Sequence, residues 1–302
     1  MGKAMKRFLV IGRRNVGEKN DARELANAIA GQIHDATVTS AYYEDLVIVT
    51  GKGELSVLIH VGTNSEESLK SFDTVILINW SHDRLYTDFA HSIAIIADRL
   101  GSTVWNKELI TARSSTKVSQ TVALSYEAIV TPMTIFSLTP QLAKEYIDVL
   151  GMPFVAKDPL ASRGRNNFLC DSWEDFIQKA ADGVSYVFQE FIPNEASDLR
   201  MFVAGGKPAL AILRRGTGES HLNNVSQGAV AELIPLTELP QQLLKDTEKV
   251  ADMFERELCG IDFMKNRETN EYVFLEINTT PQIVNGVFAE EKAAAIARAL
   301  MR

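Results

Sequence analysis

The sequence has few of the features that mark zinc proteins, disulfide-rich secreted proteins or membrane proteins. Its 302 residues include only two cysteines, Cys170 and Cys259, which lie far apart and outside any CxxC or Cys/His cluster. This scarcity excludes a disulfide framework and a cysteine zinc site, and it favours two reduced, buried thiols in a cytoplasmic protein. The apolar stretch near the N-terminus is too short for a signal peptide or a transmembrane helix, so we expect no membrane partner.

Positive charge is also in short supply. The chain has 31 Lys and Arg against 39 Asp and Glu, which gives a net charge of −8. An acidic chain binds polyanions poorly, so nucleic acid is not expected as a partner. The five histidines are scattered, and neither a Ser/His/Asp nor a Cys/His arrangement for covalent catalysis is apparent. The remaining candidates for chemistry are carboxylates, lysines and arginines.

Hydrophobic patterning predicts a compact α/β region up to about residue 105. RFLVIG (7–12) and DTVILINW (73–80) have the continuous apolar character of buried strands, and residues at helical spacing follow each of them. LVIVTGKGELSVLIHV, between them, predicts a β-hairpin. Further along, 139–151 predicts a helix, with Thr139 as its cap, Pro140 in its first turn and Gly151 at its end.

Two strands near the C-terminus carry carboxylates where core residues are expected. FLEIN (274–278) has Glu276 and Asn278 on one strand face, and GIDFM (260–264) carries Asp262. A hairpin symmetric about Thr269 places Asp262 directly opposite Glu276, about 5 Å away. Carboxylates that close repel each other, so either one is protonated or a cation lies between them. Two carboxylates and an amide suit Mg²⁺ or Mn²⁺, completed by nucleotide phosphates and water.

Other polar residues interrupt apolar strands upstream. Lys157, within VAKD, is either a surface lysine or a phosphate ligand. Gln189 and Glu190 end the apolar strand FQEFI, which suits either an adenine pocket or an ordinary strand end. The loop LASRGRNN (160–167), which has one glycine, is a candidate phosphate-covering segment.

A third group of charged residues follows. Asp198 and Arg200 share one strand face, either as a local ion pair of little energetic value or as part of a site. Arg214 ends the next strand, and Asn223 and Asn224 come shortly after it. Arginine and asparagine near a phosphoryl group neutralise charge that develops during transfer.

Taken in order, these motifs resemble the ATP-grasp superfamily, and most of all its RimK-like and glutathione-synthase-type carboxylate–amine ligases. The resemblance covers about residues 105–302 and rests on VAKD, QEFI followed by DLR, ILRRGTG…NNVSQGA, GIDF and LEINTTP. It implies an N-terminal α/β pre-ATP-grasp domain (1–105), a central ATP-grasp subdomain (106–190) and a C-terminal ATP-grasp subdomain with the metal site (191–302). The hairpin in the first region looks more like that of ATP-grasp enzymes that crosslink or extend ribosomally made peptides.

The resemblance also implies a role for each site residue. Nucleotide binding falls to Lys117 and Lys157 at the phosphates, Gln189, Glu190, Phe191 and Ile192 around the adenine, Asp198 near the ribose or substrate, and Asn224 beside the phosphate. Arg214 and Arg200 would act in catalysis, and Asp262, Glu276 and Asn278 would bind two Mg²⁺ ions. The chain departs from the family at Gln282, where glycine is common, and at Leu222, where arginine often precedes the motif asparagine.

The implied activity is ATP-dependent amide formation. ATP phosphorylates a carboxylate to an acylphosphate, an amine of an amino acid, peptide or protein displaces the phosphate, and ADP and phosphate are released. The alternatives are a small-molecule kinase on the same fold, a peptide-crosslinking ATP-grasp ligase and a nucleotide-binding regulator without turnover. The sequence identifies neither substrate and leaves open whether the chain acts alone or as a homo-oligomer. Arg13, Arg14 and Arg84 could bind a substrate carboxylate or could simply be solvated.

Overall fold

The computed structural model describes residues 5–14, 21–51, 54–61, 65–80, 83–111, 116–160, 166–180, 184–216, 230–279 and 281–302. These residues form four β-sheets with helices packed around them. The elements of the first region are, in chain order, β1 (Lys6–Gly12), α1 (Ala22–Ala30), β2 (Ala36–Tyr42), β3 (Leu46–Gly51), β4 (Glu54–Val61), β5 (Ser65–Ser68), β6 (Thr74–Leu77), α2 (Arg84–Arg99) and β7 (Thr103–Trp105).

The first region contains two sheets. Strands β2, β1, β6 and β7 form a parallel sheet in that order, as the continuous apolar runs predict. Asp21 caps α1, because its carboxylate accepts hydrogen bonds from the backbone N–H groups of Arg23 and Glu24. The predicted hairpin is confirmed, since β3 and β4 pair antiparallel, and β5 adds a third strand to it.

The central region is a four-stranded antiparallel sheet with an aromatic core. Its elements, with the two helices that precede them, are α3 (Glu108–Thr111), α4 (Lys117–Ser125), β8 (Thr134–Phe136), α5 (Pro140–Lys144), β9 (Phe154–Lys157), β10 (Asn167–Cys170), α6 (Trp173–Lys179) and β11 (Val187–Glu190). The strand order is β10-β9-β11-β8. Side chains of Phe154, Trp173, Phe176 and Phe188 pack together beneath it.

The helix predicted over 139–151 is wrong in part. The α-helix ends at Lys144, and a separate 3₁₀ turn spans Ile147–Leu150. β-branched Ile147 and Val149 lower helix propensity in this second half, and the tighter turn still buries Ile147 and Leu150. Gly151 ends the segment as predicted, with a φ of +70°.

The last region is a five-stranded antiparallel sheet with one helix on each face. Its elements are β12 (Ser197–Ala204), β13 (Lys207–Arg215), β14 (Val230–Ile234), α7 (Gln241–Met253), β15 (Leu258–Lys265), β16 (Tyr272–Asn278) and α8 (Ala289–Leu300). The strand order is β14-β13-β12-β15-β16, so β16 lies at an edge. Helix α7 packs on one face and α8 on the other, where α8 also contacts α1 of the first region.

Strand β12 shows how this sheet positions the site. Its residues Leu199, Met201 and Val203 face α7 and belong to an apolar core. On the opposite face, Phe202 and Ala204 join a second core with α8 and the first region. Asp198 and Arg200 continue that second face beyond the apolar contact, so charged side chains collect at one end of it. The boundaries at 105 and 190 remain predictions.

Candidate active site

The candidate site occupies this polar end of the five-stranded sheet. Four consecutive strands of this sheet, β13, β12, β15 and β16, contribute charged or amide side chains. These are Arg214 on β13, Asp198 and Arg200 on β12, Asp262 on β15, and Glu276 and Asn278 on β16. The structure therefore brings together all the predicted metal-binding residues and both predicted catalytic arginines. The sequence separation of the strands explains why no local motif contains all of them.

The predicted opposition of two carboxylates holds in the structure. Asp262 and Glu276 are direct cross-strand partners in the β15–β16 pairing. One detail differs, because the register shifts between Asp262 and Phe263, so that Phe263 pairs with Phe274 and Leu275 is the extra residue of a bulge. The bulge allows both Phe274 and Ile277 to face the α7 core while Glu276 points into the site.

Asp262 is held by two arginines. Both of its carboxylate oxygens accept hydrogen bonds of 2.7 Å from Arg200, the residue directly across the β12–β15 pairing. Arg214 adds a contact of 3.1 Å to Oδ2. Burial disfavours the charged form of Asp262, but the two guanidinium groups outweigh burial and lower its pKa. Asp262 is therefore ionised, and arginines offset much of its repulsion from Glu276.

Asp198 and Arg200 do not form the surface ion pair that was the simpler interpretation of their spacing. Asp198 is buried and pairs with Arg214, its partner across the β12–β13 pairing. Arg214 thus bridges Asp198 and Asp262. Burial raises the pKa of Asp198, although the positive charge of Arg214 opposes the rise. The result is one buried network that crosses three strands.

Glu276 and Asn278 complete the candidate metal site. The Asn278 amide nitrogen donates to Glu276 at 3.2 Å and to Asp262 at 3.3 Å, and so bridges the two carboxylates. Lys117, at the start of α4, lies 3.7 Å from Glu276. Within the described ranges, no three His, Cys, Asp or Glu side chains cluster around a metal position, so the site depends on an amide as third donor. This oxygen-rich set fits a hard divalent cation once the Asn278 amide turns its oxygen inward.

Lys157 lies next to this group at the end of β9. Its ammonium donates to the Gln189 side-chain oxygen at 2.8 Å, and the Gln189 nitrogen donates to Thr134 at 3.0 Å. Burial lowers the pKa of Lys157 to about 8, with Glu276 opposing the shift and Lys117 adding to it. The two predicted phosphate ligands, Lys117 and Lys157, therefore lie in the same charged environment as Glu276. Lys157 is therefore not the solvated surface lysine of the alternative interpretation.

The predicted adenine-binding segment lies at the end of β11. Glu190 exchanges two bonds with Met133, because its N–H donates to the Met133 carbonyl and its carboxylate accepts from the Met133 N–H at 2.9 Å. Ile192 is buried, Phe191 is half-buried, and the Ile192 carbonyl accepts from Asn194 at 2.9 Å. The Glu190 carboxylate thus anchors the segment, so any reading of a base edge falls to the backbone.

Some predicted residues lie outside the described part of the chain. These are Asn224, its neighbours Leu222 and Asn223, and most of the 160–167 loop. Arg13 and Arg14 are described, and each stacks on a tyrosine, Tyr86 and Tyr42 respectively. Arg13 also contacts Asp83 and Arg14 contacts Asp45. Both arginines therefore have partners within the first region.

The structure adds residues that the motifs did not reveal. The Gln120 side chain pairs with the main chain of Ile277, donating to its carbonyl at 3.3 Å and accepting from its N–H at 3.2 Å. Arg256 donates to the same carbonyl at 3.0 Å and pairs with Glu108 at 2.8 Å. Ile277 lies between Glu276 and Asn278, so these groups fix the outer edge of β16 at the two predicted metal ligands. Gln120 was detectable, since it lies one helical turn after Lys117.

Lys292 is a further addition. It lies in the first turn of α8 and is buried, and its ammonium donates to the Gln282 carbonyl at 2.7 Å. Burial, with repulsion from Arg200 and Arg214, lowers its pKa to about 8. No sequence motif singled out this lysine. Among the helices that the structure describes, none combines the length and the apolar character needed to cross a membrane.

Comparison with known proteins identifies the relatives of this arrangement. The probable alpha-L-glutamate ligase of Vibrio atlanticus is 28% identical over 61% of this chain, and the alignment spans 62% of that protein. The chain thus spans about three fifths of this relative. The alpha-aminoadipate–LysW ligase LysX of Saccharolobus solfataricus is also 28% identical, over 71% of this chain and 78% of LysX.

A solved structure matches nearly the whole fold. The ATP-grasp ligase PsnB, in complex with a phosphomimetic variant of its minimal precursor, Mg and ADP, superposes with a TM-score of 0.71 at 13% identity, covering 98% of each chain. This match confirms the predicted ATP-grasp architecture. Residues 113–300 match the family model of the RimK-like ATP-grasp domain. The chain belongs to the RimK-like ATP-grasp family.

Proposed function

We propose that this protein is an ATP-dependent carboxylate–amine ligase. A substrate carboxylate oxygen attacks the γ-phosphorus of ATP, the bond to the β-phosphate oxygen breaks, and ADP leaves. An amine then attacks the acyl carbon, the carbon–oxygen bond to phosphate breaks, and an amide forms. Of the two protons that the ammonium form of the amine loses, one goes to the departing phosphate and one to water.

The observation that carries this proposal is the opposed pair Asp262 and Glu276, with Lys117 at 3.7 Å from Glu276 and Lys157 near enough for the Glu276 charge to affect its pKa. Asp262, Glu276 and Asn278 would hold the metal, with two Mg²⁺ ions as the expected number and Mn²⁺ as a substitute. Bound metal would supply charge neutralisation on the ATP phosphates. Lys117, 3.7 Å from Glu276, would hold the ATP phosphates.

The protein's own groups would work by orientation and charge. Lys157 is fixed by Gln189 at 2.8 Å, so its ammonium is already positioned when a phosphate arrives. Arg200 and Arg214 are fixed by Asp262 and Asp198. They would therefore neutralise the charge on the transferring phosphoryl group without first having to change side-chain conformation. Asn224 is proposed to contribute to the same group.

The relatives support an amino acid, peptide or protein as substrate. Two relatives are named as a probable alpha-L-glutamate ligase and as an alpha-aminoadipate–LysW ligase. The structure of PsnB contains a variant of its precursor. We propose the same general class here, a carboxylate with an amine partner. The two cysteines are free and buried, which suits the cytoplasm as the proposed location.

ADP release distinguishes this function from its rivals. The purified protein is incubated with MgATP and a panel of amino acids and peptides, with and without added amines, and products are screened by mass spectrometry. A ligase sustains ADP release over many turnovers only when carboxylate and amine are both present, and it yields a product heavier by the mass of the added partner less one water. A kinase releases ADP without the amine, and a regulator releases none under any condition.

A further inference from the structure

Lys292 is a buried charge that the proposed function does not use. The residue is 3% exposed, and the one hydrogen bond of its ammonium within the described part of the chain goes to the Gln282 carbonyl at 2.7 Å. An ammonium group has three donors. No carboxylate among the described residues pairs with it, although Glu291 is its neighbour in sequence.

Its surroundings are cationic. Burial lowers the pKa of Lys292 to about 8, and Arg200 and Arg214 repel it further. Arg256, another buried cation of this region, has Glu108 as a carboxylate partner at 2.8 Å. A buried ammonium without such a partner destabilises a fold. A methionine or leucine would fill the same space at lower cost, so the lysine calls for a compensating anion.

The position of Lys292 brings it beside the candidate site. Side chains on a helix point toward its N-terminus, and the Lys292 ammonium reaches back to the loop that follows the metal-site strand. It lies close to Gly286, where a Cβ atom would be 3.4 Å from it. At the start of that loop, Pro281 and the Arg200 side chain both pack over Gly260, at 3.3 and 3.4 Å from where its Cβ would be.

We propose that Lys292, together with Arg200, binds an oxyanion of the reaction, either the substrate carboxylate or the phosphoryl group it receives. This inference rests on the proposed function. The lysine would lie on the α8 side of the reacting group, away from the nucleotide-binding lysines Lys117 and Lys157. A purely structural role, fixing the loop through the Gln282 carbonyl, predicts no effect on anion binding.

Inorganic phosphate is the probe for this site. Phosphate is titrated calorimetrically into protein saturated with Mg–ADP, for the wild type, Lys292→Met and Lys292→Arg. One charge-assisted hydrogen bond corresponds to about a tenfold to hundredfold change in affinity, so we expect Lys292→Met to weaken phosphate binding by about that factor. Lys292→Arg keeps the charge and should stay within about threefold of wild type. The control is Lys207→Met, at an exposed lysine paired with Glu248.

The outcomes separate the two proposals. Unchanged phosphate affinity in Lys292→Met, or no phosphate binding by the wild type, overturns the role of Lys292. Loss of Mg–ADP binding in Lys292→Met also overturns it, because the lysine would then act through the fold. Failure of the wild type to bind Mg–ADP counts against the proposed function instead. If acetate competes with phosphate, the anion at this position is the substrate carboxylate. If acetate does not compete, the anion is the phosphoryl group.

Discussion

Two buried clusters of arginine and carboxylate adjoin the five-stranded sheet of this protein, and they differ in charge balance. In the first, Arg256 pairs with Glu108 and donates to the Ile277 carbonyl. The second joins Arg200 and Arg214 to Asp198 and Asp262, with Lys292 nearby. The first cluster pairs one cation with one anion and links two regions of the chain. The second has more cations than anions.

The difference indicates different roles. A buried ion pair seldom adds net stability, but removing one partner is costly because the other charge is left buried. A balanced pair therefore connects two parts of the fold, and its loss should lower stability. A cluster with excess positive charge is incomplete without an anionic ligand, and its loss should be felt as weaker binding and turnover. Substitutions in each cluster test this distinction.

The largest effect is expected at Glu276, which faces the second cluster. Glu276→Gln keeps an oxygen acceptor for Asn278 but removes the charge that a metal requires. We expect turnover to fall by about a thousandfold, with unchanged thermal unfolding, because the side chain is partly exposed. ADP release measures the first effect and calorimetry the second. Wild-type activity in this variant would end the metal assignment. Glu248→Gln, on the accessible face of α7, is the matched control.

Arg256 should give the largest loss of stability. Arg256→Met leaves the Glu108 carboxylate buried without its cation, and we expect the free energy of unfolding to fall by about 3 kcal/mol. Urea denaturation measures the change. Glu108→Leu combined with Arg256→Met should recover much of it, since neither member of the ion pair then remains buried.

Arg200→Met should cost less stability, because Asp262 keeps Arg214, but it should reduce turnover. Equal stability losses in the two clusters would contradict the comparison.

Lys292→Met should stabilise the ligand-free protein, and the gain should depend on pH. Burial and the repulsion of Arg200 and Arg214 lower the pKa of Lys292 from 10.5 to about 8, with Glu291 opposing. Below pH 8 the lysine is protonated in both the folded and the unfolded chain, so its full cost is present. Between pH 8 and 10.5 only the unfolded chain holds the proton, and the cost disappears as the pH rises.

We expect a gain of about 3 kcal/mol at pH 7 that vanishes above pH 10.5. Urea denaturation across this range, with Lys207→Met as control, measures it. A difference that does not change with pH would show that the Lys292 charge carries no cost in the fold.

The sequence could predict the opposed carboxylates but not the network that holds them. Asp262 and Glu276 fall on one hairpin, so counting from its turn was enough to pair them, even with a bulge at Leu275. The partnership of Arg200 with Asp262 depends on the order of strands in the sheet, which alternation within one strand does not encode. Lys292 carries no signal at all, because a lysine in an amphipathic helix usually lies on the solvated face.

The smallest of these effects is expected at Gln120, whose side chain extends the edge of the sheet. Its amide pairs with both main-chain groups of Ile277, as a neighbouring strand would. Gln120→Leu leaves the Ile277 N–H buried without this acceptor, while Arg256 still donates to the carbonyl. We expect a loss of about 1 kcal/mol in unfolding free energy. Because Glu276 and Asn278 flank Ile277, the Mg²⁺ concentration needed for half-maximal ADP binding should rise about threefold to tenfold. Gln242→Leu, at an exposed glutamine bonded to Asp246, is the matched control. If stability falls while the Mg²⁺ requirement stays unchanged, Gln120 stabilises the fold together with Glu108 and Arg256 and does not position the site.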